Sequence, residues 1–200
     1  DCAYMSEESK PLATIPFPSF EGIEFPRDYA IVTVDEGDTI PLKGRDLLVF
    51  KIPDHAVGSI ALLDRKGRLM FTGDEIGMPQ GKMLNGSVER WLGYMEKLLK
   101  FRNEYDRLCT GFSVIDAGIV EQYRDNARHI LNGNKGRKLE EVHAFPNFSR
   151  VTEDGKIIWK RFMPHPGDGP KDWGKDLEYK RVMDYAGCRI IYDIRKIYEK

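Results

Sequence analysis

Cysteine is scarce in this 200-residue sequence: Cys2, Cys109 and Cys188 lie far apart and form no Cys-x-x-Cys pair. Neither a zinc ribbon nor a disulfide framework is therefore expected, and a reducing, cytoplasmic setting is. No apolar run reaches the roughly 18 residues of a membrane-spanning helix, and no charged-then-apolar leader is present. Charge of one sign is missing too. Thirty-one lysines and arginines face 32 aspartates and glutamates, which argues against a nucleic-acid or membrane partner. The first residue is Asp1, not methionine, so an upstream segment is expected. With no internal repeat, low-complexity tract or clear linker, residues 1–200 read as one domain. The 41% hydrophobic content is enough for a sizeable core.

Along the chain, Asp1 to Pro26 is rich in proline, serine and glutamate and reads as irregular backbone. Tyr29 to Val34 is a β-branched run, followed by turn residues Asp35-Glu36-Gly37-Asp38 and a strand at Thr39 to Leu42. Asp46 to Ile52, Ser59 to Leu63 and Arg68 to Thr72 continue as short strands of one sheet, the last two joined at Asp64-Arg65-Lys66-Gly67. The period then changes. Ser87 can cap a helix whose Val88, Trp91, Leu92, Met95, Leu98 and Leu99 recur at three- and four-residue spacing. A short strand at Arg107 to Cys109 precedes a second helix, from about Asp116 to Leu131, that Gly133 ends. Strand, helix, strand, helix is a layered α/β order, with the helices expected on one face of a mixed sheet. Further on, Glu141 to Val151 and Lys156 to Met163 can pair around Glu153-Asp154-Gly155. Pro164 to Lys175 reads as a surface loop, and Cys188 to Tyr192 as a last buried strand. Residues 134–200 are thus an extension to a core at 29–131.

The chemistry concentrates in two short segments. Ile52-Pro53-Asp54-His55-Ala56-Val57-Gly58-Ser59 puts His55 beyond the end of one apolar strand, and Thr72-Gly73-Asp74 puts Asp74 beyond the end of another. The intervening strand runs away and the next returns, so both side chains can emerge at one sheet edge. An imidazole and a carboxylate there suit zinc or a related divalent ion. Taken singly, His55 is equally a polar loop residue and Asp74 a turn residue, and Glu75 has no assigned role.

Together these segments resemble the metallo-β-lactamase superfamily, in which a Pro-Gly-His-Thr-Pro-Gly-Ser-like loop precedes a hairpin ending in Thr-Gly-Asp. Val34-Asp35-Glu36-Gly37-Asp38-Thr39-Ile40 is similar to the family's preceding hairpin, and the resemblance covers Tyr29 to Leu131 with Cys188 to Asp193 as the closing strand. It implies an αββα sandwich, here its C-terminal half. It also implies a hydrolase that acts on a small-molecule substrate using one or two zinc ions, with His55 and Asp74 as metal ligands. Asp74 would bridge two ions, and a water or hydroxide held between them would attack an ester, thioester or related bond.

Two departures qualify this implication. The family's His-x-His-x-Asp-His motif is absent, so the chain looks N-terminally truncated and inactive alone. The family's final histidine ligand falls, on aligning Val114-Ile115-Asp116, at Gly111. His143 and His165 are the histidines that could replace it; His129 lies on the exposed side of its helix pattern. Cys109 near the edge is either a soft ligand or a strand-end thiol. Pro166-Gly167-Asp168-Gly169-Pro170 lacks the flanking strand and lysine-bearing helix of a phosphate loop. The missing histidine motivates the rival reading, a non-catalytic interaction or structural domain of the same fold. An unrelated α/β binding module would leave the spacing of His55 and Asp74 to chance.

Overall fold

The computed structural model describes residues 2–13, 29–77, 81–139, 148–153, 156–161 and 177–199. The expected loop at Pro164 to Lys175, together with His143 and His165, lies outside the described residues. In chain order the elements begin with β1 (Cys2–Met5), α1 (Lys10–Ala13), β2 (Ala30–Thr33), β3 (Thr39–Leu42), β4 (Arg45–Lys51), β5 (Ile60–Asp64) and β6 (Leu69–Gly73). Next come β7 (Lys82–Met83), α2 (Val88–Leu99), β8 (Arg107–Thr110), β9 (Val114–Asp116), α3 (Ile119–Leu131) and β10 (Arg137–Lys138). The last four are β11 (Phe148–Glu153), β12 (Lys156–Arg161), β13 (Lys180–Tyr185) and β14 (Cys188–Asp193). Two compact units result, Asp1–Pro79 with Gly93–Glu121 and Gln80–Leu92 with Gln122–Lys200.

In the first unit, six strands form one mixed sheet in the order β3-β4-β5-β6-β8-β9. Strands β3 to β6 are antiparallel neighbours, β6 pairs β8 in parallel, and β8 pairs β9 antiparallel. Register explains the burial pattern. Leu48, Leu63, Met70, Leu108 and Ile115 stand in one cross-strand row, so they share a face. Leu63, Met70 and Leu108 are fully buried. Phe50, two residues along from Leu48 on that face, meets the Phe101 ring edge-on at 4.9 Å. On the other face, Leu47 and Val49 form a second apolar cluster with Val34 and Ile40.

One expectation needs correction here. The run at Tyr29 to Val34 does not join the large sheet; β2 pairs in parallel with β1, Ile31 opposite Ala3, and Val34 N–H continues the ladder to the Met5 carbonyl at 2.9 Å. Chain proximity suggests a meander, whereas each partner lies 28 residues upstream, in a stretch too short and too polar in its surroundings to read as a strand. The second helix also starts later than expected. Val114–Asp116 is strand β9, and the Asp116 carboxylate accepts the Gly118 N–H at 2.7 Å, a local turn that competes with helix at that point. Ser87 caps α2 as its position implies, its Oγ accepting the Arg90 N–H at 3.0 Å.

Asp64 closes the β5–β6 turn. Its carboxylate accepts the Gly67 N–H at 2.8 Å and the Arg45 guanidinium at 2.6 Å while 1% exposed. The Gly67 amide, helped by Arg45 and opposed by burial, holds this carboxyl below the usual carboxylate range. A group with a depressed folded-state pKa adds stability above its unfolded pKa and loses it as pH falls through the folded value. Asp64→Asn should therefore be less stable than wild type at pH 7, and the gap should close as pH drops below about 4. Urea midpoints measured across pH check this; a gap that does not narrow in acid would contradict it.

In the second unit the sheet order is β10-β13-β14-β7, with β14 and β7 parallel. The β13–β14 hairpin turns through Ala186 and Gly187, both at positive φ (53° and 84°), the pairing that a two-residue hairpin of this twist requires. Asn126 of α3 fastens that hairpin: its Nδ2 donates to the carbonyls of Met183, Tyr185 and Cys188 at 3.0–3.2 Å. Burial pushes the Cys188 thiol up to about 11, so it stays protonated and inert at neutral pH. Strand β14 is buried as its sequence implies. Strands β11 and β12 form the expected antiparallel hairpin, Glu153 opposite Lys156.

Candidate metal-binding edge

The site lies in the first unit, at the end of the sheet where β4 and β6 finish. Strand β4 runs into the loop that carries His55. Gly58 ends that loop at φ +76°, a backbone conformation that glycine adopts without a Cβ clash. The buried Ser6 hydroxyl donates to the Gly58 carbonyl at 2.7 Å, and Ser9 donates to the Val57 carbonyl at 3.2 Å. These two serines hold one side of the loop.

Asp74 is placed by a different device. The β6–β8 register shifts between Phe71 and Gly73, a bulge that leaves Thr72 without an opposite partner in β8, and bulges of this kind re-aim the next side chain. Gly73 then takes φ +51°, and Asp74–Ile76 forms one turn of 3-10 helix. The outcome is a split pair of carboxylates. Asp74 points to solvent at the edge, 48% exposed, while Glu75 turns inward and is 2% exposed.

His55 Nε2 and Asp74 Oδ2 lie 3.9 Å apart. That is too long for a hydrogen bond. It is also about half an ångström longer than the roughly 3.3 Å between two ligands of a tetrahedral ion with bonds of about 2 Å, a gap that a small rotation of either exposed side chain closes. Both side chains are about half exposed, so an ion and a water could reach them. Gly111, between β8 and β9, faces the same carboxylate: a Cβ built on it would sit 1.9 Å from Asp74 Oδ1. The structure thus brings together His55, Asp74 and Gly111. Among the described residues no group of three His, Cys, Asp or Glu side chains is placed to hold one ion.

Other residues singled out from the sequence take different places. Cys109 sits in β8, half-buried, opposite Phe71 and Val114 in the ladder. His129 is not simply solvated, as its helix position implied, but stacks flat on the Tyr185 ring at 3.9 Å. Glu75, Ser6 and Ser9 carry no signal in the sequence that marks them as part of the edge. A buried glutamate cannot be told from an exposed one by composition, and the serines act across about 50 residues.

Residues 2–139 match the family model of the metallo-beta-lactamase superfamily. The chain belongs to the metallo-β-lactamase superfamily. Members generally bind divalent metals, often zinc. The superfamily match begins at β1 and ends just after β10. Among curated relatives, the acyl-coenzyme A thioesterase MBLAC2 of Gallus gallus is 33% identical over 90 residues, 44% of this chain and 28% of that protein. The Homo sapiens protein of the same name is 32% identical over 89 residues, 44% and 28% of the respective chains. A hydroxyacylglutathione hydrolase of Bdellovibrio bacteriovorus is 29% identical over 76 residues, 38% of this chain and 30% of that one. The chain therefore spans less than a third of the length of the curated relatives it matches. A solved metallo-beta-lactamase from Pontibacter korlensis shares 15% identity with a TM-score of 0.46, covering 62% of this chain and 57% of that one. Among the described residues no helix is long and apolar enough to cross a membrane.

Proposed function

We propose that the protein containing this chain is a metal-dependent thioester hydrolase and that His55 and Asp74 are two of its metal ligands. The observation that carries the reading is the 3.9 Å approach of His55 Nε2 to Asp74 Oδ2 at one sheet edge. An imidazole and a carboxylate are the donor types that zinc accepts. A bound divalent ion supplies a nucleophilic water near neutral pH and polarises a carbonyl oxygen. In this reading the His55 imidazole and the Asp74 carboxylate would hold the ion, and Asp74 would be the catalytic carboxylate of the pair. The rest of the ligand set comes from outside the described residues.

Thioesters are favoured over other acyl bonds because the relatives' names, acyl-coenzyme A thioesterase and hydroxyacylglutathione hydrolase, both describe an acyl group released from a thiol carrier. Two exposed apolar side chains, Val57 beyond His55 and Phe112 beyond Gly111 (66% and 71% exposed), are the proposed contacts for the acyl portion. The free thiols of Cys2, Cys109 and Cys188 support a reducing, cytoplasmic setting.

The test is hydrolysis of acyl-coenzyme A and acylglutathione by the full-length protein, before and after removal and return of zinc. Because Gly111 offers no ligand, titration should find one tightly bound ion, not two. These 200 residues alone should bind zinc weakly, since a catalytic site takes about three protein ligands. Two equally tight ions would contradict the ligand count. No hydrolysis of either substrate by the zinc-loaded protein would favour the second reading, a non-catalytic member of the fold, which rests on the glycine at position 111.

A further inference from the structure

The buried carboxylate next to Asp74 is the part of the molecule not yet accounted for. A charged side chain that is 2% exposed is costly unless hydrogen bonds replace its water. Glu75 Oε1 accepts three backbone N–H groups from consecutive residues, Asp54 at 3.1 Å, His55 at 2.7 Å and Ala56 at 3.3 Å. Successive amides converging on one anion form the concave arrangement with which backbones bind phosphates and other anions. Here the anion is part of the chain. The acceptor comes from 19 to 21 residues away, so the contact is tertiary and fixes one loop against another.

Its placement follows from the turn after β6. The same 3-10 turn that sends Asp74 outward sends Glu75 inward beneath the His55 loop. One rigid turn therefore presents Asp74 to the edge and, through the next residue, holds the backbone of its counterpart His55. We infer that Glu75 is a positioning residue that sets the His55 backbone relative to Asp74, and hence the spacing of the two side chains. The consequence for metal affinity rests on the proposed metal-site reading; the loop-fixing role does not. Gly58 follows these amides, and its backbone can change conformation without a Cβ clash, so the loop can bend at that end. Loss of the carboxylate would take this acceptor from the His55 and Ala56 N–H groups, while the Asp54 N–H keeps its bond to the Ile52 carbonyl at 3.0 Å, and the loop would relax by moving His55.

The experiment compares the full-length protein with its Glu75→Leu and Glu75→Gln variants. Hydrogen exchange of individual amides is read on the metal-free protein, and zinc affinity by calorimetry. In Glu75→Leu the amides of His55 and Ala56 should exchange at least 100-fold faster, while those of Met70 and Leu108 in the sheet change by less than about tenfold. Zinc affinity should fall about 10- to 100-fold, the loss typical when a group supporting a metal ligand is removed. Glu75→Gln keeps an acceptor oxygen and should keep most of both properties. If the leucine variant does not fold, Glu75→Asp, one methylene shorter, takes its place with the same expectations. The inference is overturned if the His55 and Ala56 amides stay slow, if the sheet amides speed up in step with them, or if glutamine loses as much as leucine. A wild-type protein that binds no zinc would sink the proposed function instead, and the exchange rates would still decide what Glu75 does.

Discussion

His55→Ala in the full-length protein should lower kcat/KM for an acyl-coenzyme A substrate by about 10³-fold, or about 4 kcal/mol of transition-state stabilisation. It should also remove tight zinc binding. The size follows from the ligand count. A catalytic zinc is held by about three protein ligands, so losing one imidazole removes a third of the set and weakens hold on the ion and its water together. His55 is half exposed at the edge, and its side chain is not part of the core, so stability should change little. Its loop is held through the backbone, by Glu75 on one side and Ser6 and Ser9 on the other. His129→Ala is the contrast, because that ring stacks on Tyr185 in the second unit and should leave kcat/KM within about twofold. Steady-state kinetics with metal analysis of both variants would check this. Full activity in His55→Ala, or equal losses in the two variants, would remove the metal-site reading.

Much of the candidate edge could be read from residues alone. His55 and Asp74 each follow a strand whose apolar run is unambiguous, and the topology between them is the simplest one, consecutive antiparallel strands with short turns. Local signals sufficed there. Where the reading failed, the decisive contacts were distant in sequence. The parallel pairing of β1 with β2 joins Cys2 to Ala30, and no periodicity in Cys-Ala-Tyr-Met announces it. Strand β13, Lys180–Tyr185, does not stand out from the polar residues around it, because its two buried residues, Val182 and Met183, are adjacent and so fall on opposite faces, a pattern that has no period of two and is clear only beside β14. Glu75 shows the same limit at the site. Adjacent acidic residues in a turn look alike in sequence, and only the bulge before Gly73 decides which one faces water.

Gly58→Ala should be the most damaging single-methyl change in the first unit, costing about 4 kcal/mol of stability. Two separate causes add. At φ +76° an L-residue bears a penalty of roughly 1–2 kcal/mol that glycine does not. The new Cβ would also lie 2.2 Å from Ser6 Oγ, 2.5 Å from Ser9 Oγ and 2.8 Å from the Ser9 backbone nitrogen. Rotating the hydroxyls can relieve the first two contacts but not the third, so the backbone of one segment must move. Movement would break the bond from Ser6 Oγ to the Gly58 carbonyl and loosen the end of the His55 loop, so zinc affinity should fall as well. Gly37→Ala isolates the conformational part, since Gly37 has a similar φ of +85° with nothing within 4 Å of its Cβ position. That variant should lose only about 1 kcal/mol. Combining Gly58→Ala with Ser6→Gly should recover part of the loss but not all of it, because the Ser9 nitrogen remains in the way. Denaturant midpoints for the three variants decide the matter. Equal losses at Gly37 and Gly58 would show that dihedral strain accounts for everything and that the packing of Ser6 and Ser9 against the loop contributes nothing.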